Sequence, residues 1–503
     1  MPAILQHKTL QATLRGHESG EIWQFRGLQY GTIPARFSNP EPPAAISGDV
    51  DCTAFGYETP SNVILHLNEN IKIYFYRPRC PQNYIDFRHL LRIPTSLEIP
   101  EQREDEFACL NLDITLPASP DVTTTGKLPV LMWIHDPTKL VEESISVRKP
   151  IIVVTINYRL NIFAFGDTES EPNLALRDQK RAFEYITSHI GGFGGDPAKI
   201  TVAGESAGAV YCHAHMAMSL PARQYILQSG SLHLSPPQPR SAAITLIQKV
   251  EKKVSDLGGG NLRAAPVDQL LEALKQCNLV SFYLQQESKL EGWGESVGSA
   301  ERLLIGDNEH ESNLWRNGIE ELPADIIWSI FGLAGDKSEQ LRDLYGVAAD
   351  RPTQSRIGAL DFLHDARFAL PVERMVEEWQ QANRPVFRFL VDQPNPWQTS
   401  SRAHHGVDLL YLFGGFELSF DPAAQNISYS MQHKWIQFIN GDNPWSPEQY
   451  WAFGPLGLSK AIDGQEFKAR RRARHLALLR EIGHDGFNPV FGNLAAGRIS
   501  LLN

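Results

Sequence analysis

Cysteine is scarce. Five residues in 503, at Cys52, Cys80, Cys109, Cys212 and Cys277, are too few and too unpaired to build a disulfide scaffold. An excess of basic residues is missing as well: the net charge is −11, which argues against a binder of nucleic-acid backbones. The one dense basic run, Arg470-Arg471-Arg472 with Arg474, reads as the solvated face of a C-terminal helix. No long hydrophobic run occurs. The most apolar stretch, IIVVTI at 151–156, falls far short of the ~20 residues that span a bilayer. The first residues, MPAILQHKTLQATLRG, lack the basic, apolar and small-residue regions of a secretory leader, so a soluble cytoplasmic protein is expected. On the same ground the Asn426-Ile427-Ser428 sequon is read as a chance match. No glycine-rich dinucleotide fingerprint, phosphate-loop lysine or zinc spacing is present, and no cofactor or metal is expected. Cys212-His213 with His215 suggests a metal site only superficially, because residues 213 and 215 point in different directions on a helix and no third ligand lies near. Internal repeats and low-complexity tracts are also lacking.

What remains is ordinary globular material, 42% hydrophobic and 21% charged, enough for a large core. Short aliphatic runs alternate with helical patterns, as in a buried parallel sheet with crossover helices. The pattern predicts strands over 129–135, 150–158, 200–204, 224–228, 302–306 and 385–391. It predicts a helix over 174–190, whose Phe183, Ile186 and Ile190 share one face and which stops at Gly191-Gly192. The opening hundred residues read as an antiparallel entry hairpin followed by long loops, and 235–300 and 312–380 read as mostly helical. Linker composition is absent between these blocks. The expectation is one domain over residues 1–503: an α/β fold with a mostly parallel central sheet, helices on both faces and large helical insertions over its carboxyl edge.

The sharpest local signal is Gly204-Glu205-Ser206-Ala207-Gly208, between the strand ITVAG and the helical AVYCHAHMAM. This is a nucleophile elbow in its required strand–turn–helix setting. A serine on so tight a turn projects its hydroxyl above the sheet, and the glycines remove Cβ atoms that would strike the adjoining strand and helix. Ala207 can then offer its backbone N–H to a developing oxyanion. Serine alone is a poor nucleophile and needs an oriented base, which in this fold follows in the order serine, acid, histidine. Acidic candidates stand after the strand RLLIG, in Asp307-Asn308-Glu309-His310-Glu311. The base is His404 or His405, in Ala403-His404-His405-Gly406-Val407-Asp408.

Here the chain resembles the type-B carboxylesterases of the cholinesterase-like family of α/β-hydrolases, most closely their fungal intracellular branch. The likeness runs almost end to end: Phe25–Tyr30, Cys109-Leu110-Asn111-Leu112, Asn157-Tyr158-Arg159-Leu160, Arg177-Asp178-Gln179, Phe193–Pro197, Gly204–Gly208, Phe438–Gly441 and Pro444-Trp445. In that family the acid lies five residues after the strand-ending glycine and the histidine three before an acidic residue. The resemblance therefore implies Glu311 and His405 beside Ser206 as the catalytic residues, and leaves Glu309, His310 and His404 as a polar loop facing solvent. Glu205, next to the nucleophile, supports the site. Cys80 and Cys109 resemble the pair that forms the first disulfide in secreted relatives, and in a reducing compartment they are expected as thiols. Trp293, Trp315, Trp328, Phe331 and Trp397 either line the site or pack under long loops.

One segment departs from the family. Relatives follow the strand VxVWIH with three glycines, two of which donate to the oxyanion. Here His135 is followed by Asp136-Pro137-Thr138-Lys139, and proline has no N–H to give. Thr138 is the substitute donor we expect beside Ala207. The resemblance implies a serine carboxylic-ester hydrolase acting on small to medium hydrophobic esters through an acyl-enzyme. The altered loop keeps open a relative repurposed for elimination, cyclisation or acyl transfer, or a non-catalytic binding protein. The expected partner is a small-molecule ester, with a second copy of the chain as the other candidate, and neither nucleic acid nor a membrane.

Overall fold

The N-terminal residues already show how patterning sets structure. In the computed structural model, which describes residues 3–53, 78–83, 87–97, 103–118, 127–133, 138–295 and 297–500, alternate residues of the first strand turn inward. That strand, β1 (Ala3–His7), buries Ala3, Leu5 and His7 and exposes Ile4 and Gln6. It pairs antiparallel with β2 (Ala12–Ser19), and β2 pairs antiparallel with β3 (Ile22–Gln29). The expected entry hairpin is thus a three-stranded meander, to which β4 (Gly48–Cys52) adds alongside β2.

The chain forms two compact units, each assembled from three separate stretches: residues 1–83, 98–202 and 237–291, and residues 84–97, 203–236 and 292–503. The first unit continues from β3 into β5 (Asn111–Pro117), β6 (Leu128–Trp133), β7 (Ile152–Ile156) and β8 (Gly195–Glu205). The strand order is β1-β2-β3-β5-β7-β6-β8, antiparallel as far as β7 and parallel from β7 to β8. The last three residues of β8 belong to the second unit. That unit holds β9 (Gln224–Gln228), β10 (Arg302–Asn308), β11 (Val386–Val391) and β12 (Tyr450–Phe453), all parallel, and closes on antiparallel β13 (Ser459–Ile462). Every residue of β7, β9, β10 and β11 is buried, so these strands show no alternation of buried and exposed positions, and the polar residues they carry, Asp307 and Arg388 among them, are buried as well.

The expected strands fall within a few residues of those found, and the 224–228 strand matches end for end. The expected helix over 174–190 is the helix Leu174–His189, followed by a 3₁₀ turn that ends at Gly194 with φ of 88°. Between 235 and 300 the helices are Arg240–Asp256 and Val267–Gln276, with an irregular remainder. Between 312 and 380 the chain is almost wholly helical, and Trp315, Phe331, Phe362 and Phe368 from this block pack against Leu479, Phe487 and Val490 of the C-terminal helix. Among the described residues no helix is long and apolar enough to cross a membrane.

The basic run corrects the sequence reading. Arg471 is buried: its guanidinium meets Asp307 at 3.2 Å and Asp392 at 2.8 Å. Arg470 pairs with Asp392 at 2.7 Å and Arg472 with Asp365 at 2.8 Å. Arg388 completes the lattice of charges, 2.6 Å from Asp307 and 2.8 Å from Glu373. Arg470, Arg471 and Arg472 form an internal clamp on the end of β10 rather than a solvated face, while Arg474 is exposed as expected. Apart from Glu466, which pairs with Arg470 from four positions earlier, the partners stand about 80 to 160 positions away, so the sequence near residue 470 does not announce the clamp.

Candidate active site

The site lies in the second unit, at the carboxyl ends of β8 and β10. β8 delivers Ser206, which caps the helix Ala207–Ala217 with φ of 55° and ψ of −120°. For a residue with a side chain this conformation stores about 1–3 kcal/mol, and the neighbouring packing holds it. The Ser206 N–H donates to the Gln228 carbonyl at the end of β9, 2.9 Å away. Crowding explains the glycines: a Cβ on Gly204 would lie 2.4 Å from the Gly208 carbonyl carbon, and one on Gly230 2.4 Å from the Ser206 carbonyl oxygen. The Ala207 N–H sits in the first turn of its helix, where backbone donors have no intrahelical acceptor and the helix dipole favours negative charge.

β10 delivers the acid. Beyond its last residue the chain turns so that the Asn308 N–H donates to Glu311 Oε1 at 2.6 Å. The other carboxylate oxygen, Oε2, lies 2.5 Å from His405 Nδ1. His405 Nε2 in turn lies 2.8 Å from Ser206 Oγ. The His405 backbone N–H donates to Asn313 Oδ1 at 3.2 Å, and the Phe368 ring packs edge-on against the imidazole, centroids 5.7 Å apart. With Nδ1–H donated to Glu311, Nε2 is free to accept the serine proton. Ser206, His405 and Glu311 are thus brought into one hydrogen-bonded chain.

A second layer of carboxylates surrounds the imidazole. Glu205 Oε1 lies 3.2 Å from His405 Nε2 without making a hydrogen bond of its own. Asp408 is buried and accepts from Asn308 Nδ2 at 3.1 Å and from Gln228 Nε2, while Gln228 Oε1 accepts from Trp435 Nε1 at 2.9 Å. Burial pushes the Glu205 carboxyl up to about 8 against the pull of His405, with Asp408 and Glu311 adding to the rise. Burial by itself would lower the His405 pKa, but the Glu205 and Glu311 carboxylates outweigh it and raise it to about 9. Asp408 is likewise raised, mainly by burial, with the Asn308 hydrogen bond opposing.

The residues left out of this chain take other places. His404 is fully buried, contrary to the solvent-facing loop expected: Nδ1 donates to the His405 carbonyl at 2.8 Å and Nε2 accepts from Asn395 at 3.0 Å. Both of its nitrogens are occupied, and burial draws its pKa down to about 4. Glu309 faces outward and pairs with Arg402 at 2.7 Å. Thr138 belongs to the first unit, where it opens the helix Thr138–Ser146 and its hydroxyl accepts from Gln24 Nε2 at 2.9 Å. His135, Asp136 and Pro137 lie outside the described residues.

Cys80 and Cys109 are both free, buried thiols, and the hydrogen bond between them raises the Cys109 pKa. His213 is buried and accepts from the Leu232 N–H at 3.1 Å, and among the described residues no group of three ligating side chains could hold a metal. Of the aromatic candidates, Trp315 and Phe331 are core, Trp328 is partly exposed under Arg342, Trp397 packs against Phe416 and Phe420, and Trp293 packs against His213 and His233. Sequence reasoning missed Asn308, Gln228, Asn313 and Phe368. Only Asn308 carried a signal, its place beside the acidic candidates.

A family model described as the carboxylesterase family matches residues 5–327 and 307–462. The chain is 27% identical to Lipase 3 of Yarrowia lipolytica over 510 aligned positions, covering 94% of this chain and 96% of that one. It is 25% identical to the para-nitrobenzyl esterase of Bacillus subtilis, covering 88% and 91%. Among solved structures, a carboxylesterase of Geobacillus stearothermophilus superposes with a TM-score of 0.70 at 23% identity, covering 93% of this chain and 99% of that one. That last likeness shows the fold: the chain adopts the α/β-hydrolase fold.

Proposed function

Because the chain belongs to the carboxylesterase family and is an ester-hydrolysing enzyme, we propose that it works through an acyl-enzyme on Ser206, with His405 as general base and Glu311 as its orienting acid. The observation that carries this reading is the unbroken path from Ser206 Oγ through His405 to Glu311, at 2.8 and 2.5 Å. His405 Nε2 takes the hydroxyl proton as Oγ bonds to the ester carbonyl carbon, then returns it to the departing alkoxide. In the second half His405 takes a proton from water as the water oxygen bonds to the acyl carbon, then returns it to Ser206 Oγ as the Oγ–acyl bond breaks and the carboxylic acid leaves. The Ala207 N–H serves the oxyanion, and such a donor is worth ~10²–10³ in turnover. Glu205 and Asp408 stabilise the imidazolium formed in each addition step. Small to medium hydrophobic esters are the substrates proposed, in keeping with the lipase and the para-nitrobenzyl esterase among the relatives.

The test is hydrolysis of p-nitrophenyl acetate and butyrate by wild type and Ser206→Ala. Turnover that disappears in the variant supports the reading. Equal turnover in the two proteins overturns it and leaves the rebuilt loop after Trp133 as the sign of another chemistry.

A further inference from the structure

Burying a guanidinium without an anion is costly, and a buried charge is normally paired. In the second unit Arg388 and Arg471 obey this rule, since each meets two carboxylates. Arg367 does not. It is 7% exposed, and its partners are the His233 carbonyl at 3.2 Å, His484 Nε2 at 3.4 Å and Asn488 Oδ1 at 3.0 Å. The Phe491 ring centroid lies 3.9 Å from the guanidinium carbon. None of these is an anion, and the Nε–H has no acceptor among the described residues. Burial lowers the Arg367 pKa only to about 10, so the cation persists at neutral pH. Burial draws the His233 pKa down to about 3, with His213, Arg374, His484 and Arg367 adding to the fall, and Asp485 is the acidic group that acts on His484.

The position of this cation ties it to the nucleophile. Arg367 stands in a π-helical turn, Asp365–Ala369, inserted between the helices Pro352–His364 and Leu370–Gln381. Such turns re-aim side chains and concentrate at functional sites. Here the turn sets Phe368 against His405 and the adjoining Arg367 against the 231–234 loop. That loop follows Gly230, which packs on the Ser206 carbonyl, and Leu232 ties it to His213 on the helix that Ser206 caps. Arg367 thus stands one position from Phe368, whose ring lies 5.7 Å from that of His405, and is bonded to the loop that Leu232 ties to the helix capped by Ser206.

We propose that Arg367 is a specificity-determining residue that recognises an ionised carboxyl group on the substrate, so that half-esters of short dicarboxylic acids are preferred over neutral esters of equal length. The planar guanidinium fork suits a carboxylate, and the bound anion would supply the partner that the fold withholds. This inference rests on the esterase reading and narrows its substrate class.

The experiment compares kcat/KM for the monoethyl esters of succinate, glutarate and adipate with ethyl butyrate, pentanoate and hexanoate. Wild type and Arg367→Gln are measured in parallel. At one chain length at least, wild type should favour the half-ester about 10-fold or more, and Arg367→Gln should remove most of that preference while leaving the neutral ester within about threefold. A folding defect lowers both substrates alike and leaves the ratio intact, so the ratio isolates recognition. Wild type without a half-ester preference at any length overturns the proposal, even if the variant does not fold. So does a preference that survives in Arg367→Gln. Calorimetric titration of Ser206→Ala with free succinate, glutarate and adipate reads recognition without turnover: binding lost on adding Arg367→Gln supports the site, and no binding counts against it. Failure of the esterase reading shows separately, as neutral-ester turnover that does not depend on Ser206.

Discussion

Replacing Glu205 with glutamine should move the pH dependence of the enzyme downward. Glu205 Oε1 stands 3.2 Å from His405 Nε2, with Glu311 at 2.5 Å on the opposite ring nitrogen. Both carboxylates favour the imidazolium, and together they overcome burial to lift the His405 pKa to about 9. Burial holds the Glu205 carboxyl near 8, so the two groups titrate as a coupled pair. The catalytic base is the neutral imidazole, so kcat/KM of the free enzyme falls as pH drops through the His405 pKa. Removing the Glu205 charge destabilises the imidazolium, lowers that pKa and shifts the falling limb to lower pH. A floor for the shift comes from geometry. Two unit charges 3.2 Å apart attract by about 1.3 kcal/mol even in the dielectric of water. That is about one pKa unit, and a less polar surrounding enlarges it. The assay is kcat/KM for p-nitrophenyl butyrate in wild type and Glu205→Gln from about pH 5 to about pH 10. The midpoint of the limb is the readout, because the amplitude also responds to any change in how the ester is held. A midpoint within about 0.3 units of wild type, or one displaced upward, would refute the electrostatic account.

Two further substitutions probe the scaffold. Gly204→Ala puts a Cβ 2.4 Å from the Gly208 carbonyl carbon, a backbone atom that cannot step aside. We expect loss of soluble protein or of esterase turnover, and a soluble, fully active Gly204→Ala protein contradicts the elbow geometry. Arg471→Met removes one cation from the buried Asp307–Asp392 cluster and should cost about 3–5 kcal/mol, because it strands buried carboxylate charge. Urea unfolding of the variant checks this. A loss under about 1 kcal/mol would place the run in solvent after all.

Much of the fold was legible because the relevant forces are local. A parallel strand covered on both faces is apolar at its centre, and β7, β9, β10 and β11 each carry that signature in three consecutive residues, Ile152–Val154, Tyr225–Leu227, Leu303–Ile305 and Phe389–Val391. The elbow is likewise contiguous, so Ser206 could be singled out from five letters and their flanks. The acid and the base were another matter. The residues themselves left Glu309 beside Glu311 and His404 beside His405, and only the family register ranked them. In the structure it is His405 whose two nitrogens reach Ser206 and Glu311, while His404, one position earlier, turns its ring to Asn395 and its own chain. Adjacent residues differ in fate because the turn after Ala403 faces them in different directions, which composition does not encode.

The sequence alone therefore determined what can be specified by neighbours along the chain: the strand cores, the helix expected over 174–190 and the strained serine turn. Only the tertiary structure decided what depends on partners far away. The basic run at 470–472 became a buried clamp because Asp307, Asp365 and Asp392 converge on it, and Asp408 was buried because Asn308 and Gln228 arrive to hold it. Arg367 was left without an anion for the same reason in reverse, since among the described residues its partners are a carbonyl, an imidazole and an amide rather than a carboxylate. Short-range sterics and burial are written residue by residue, whereas charge compensation across 80 or more positions exists only once the chain has folded.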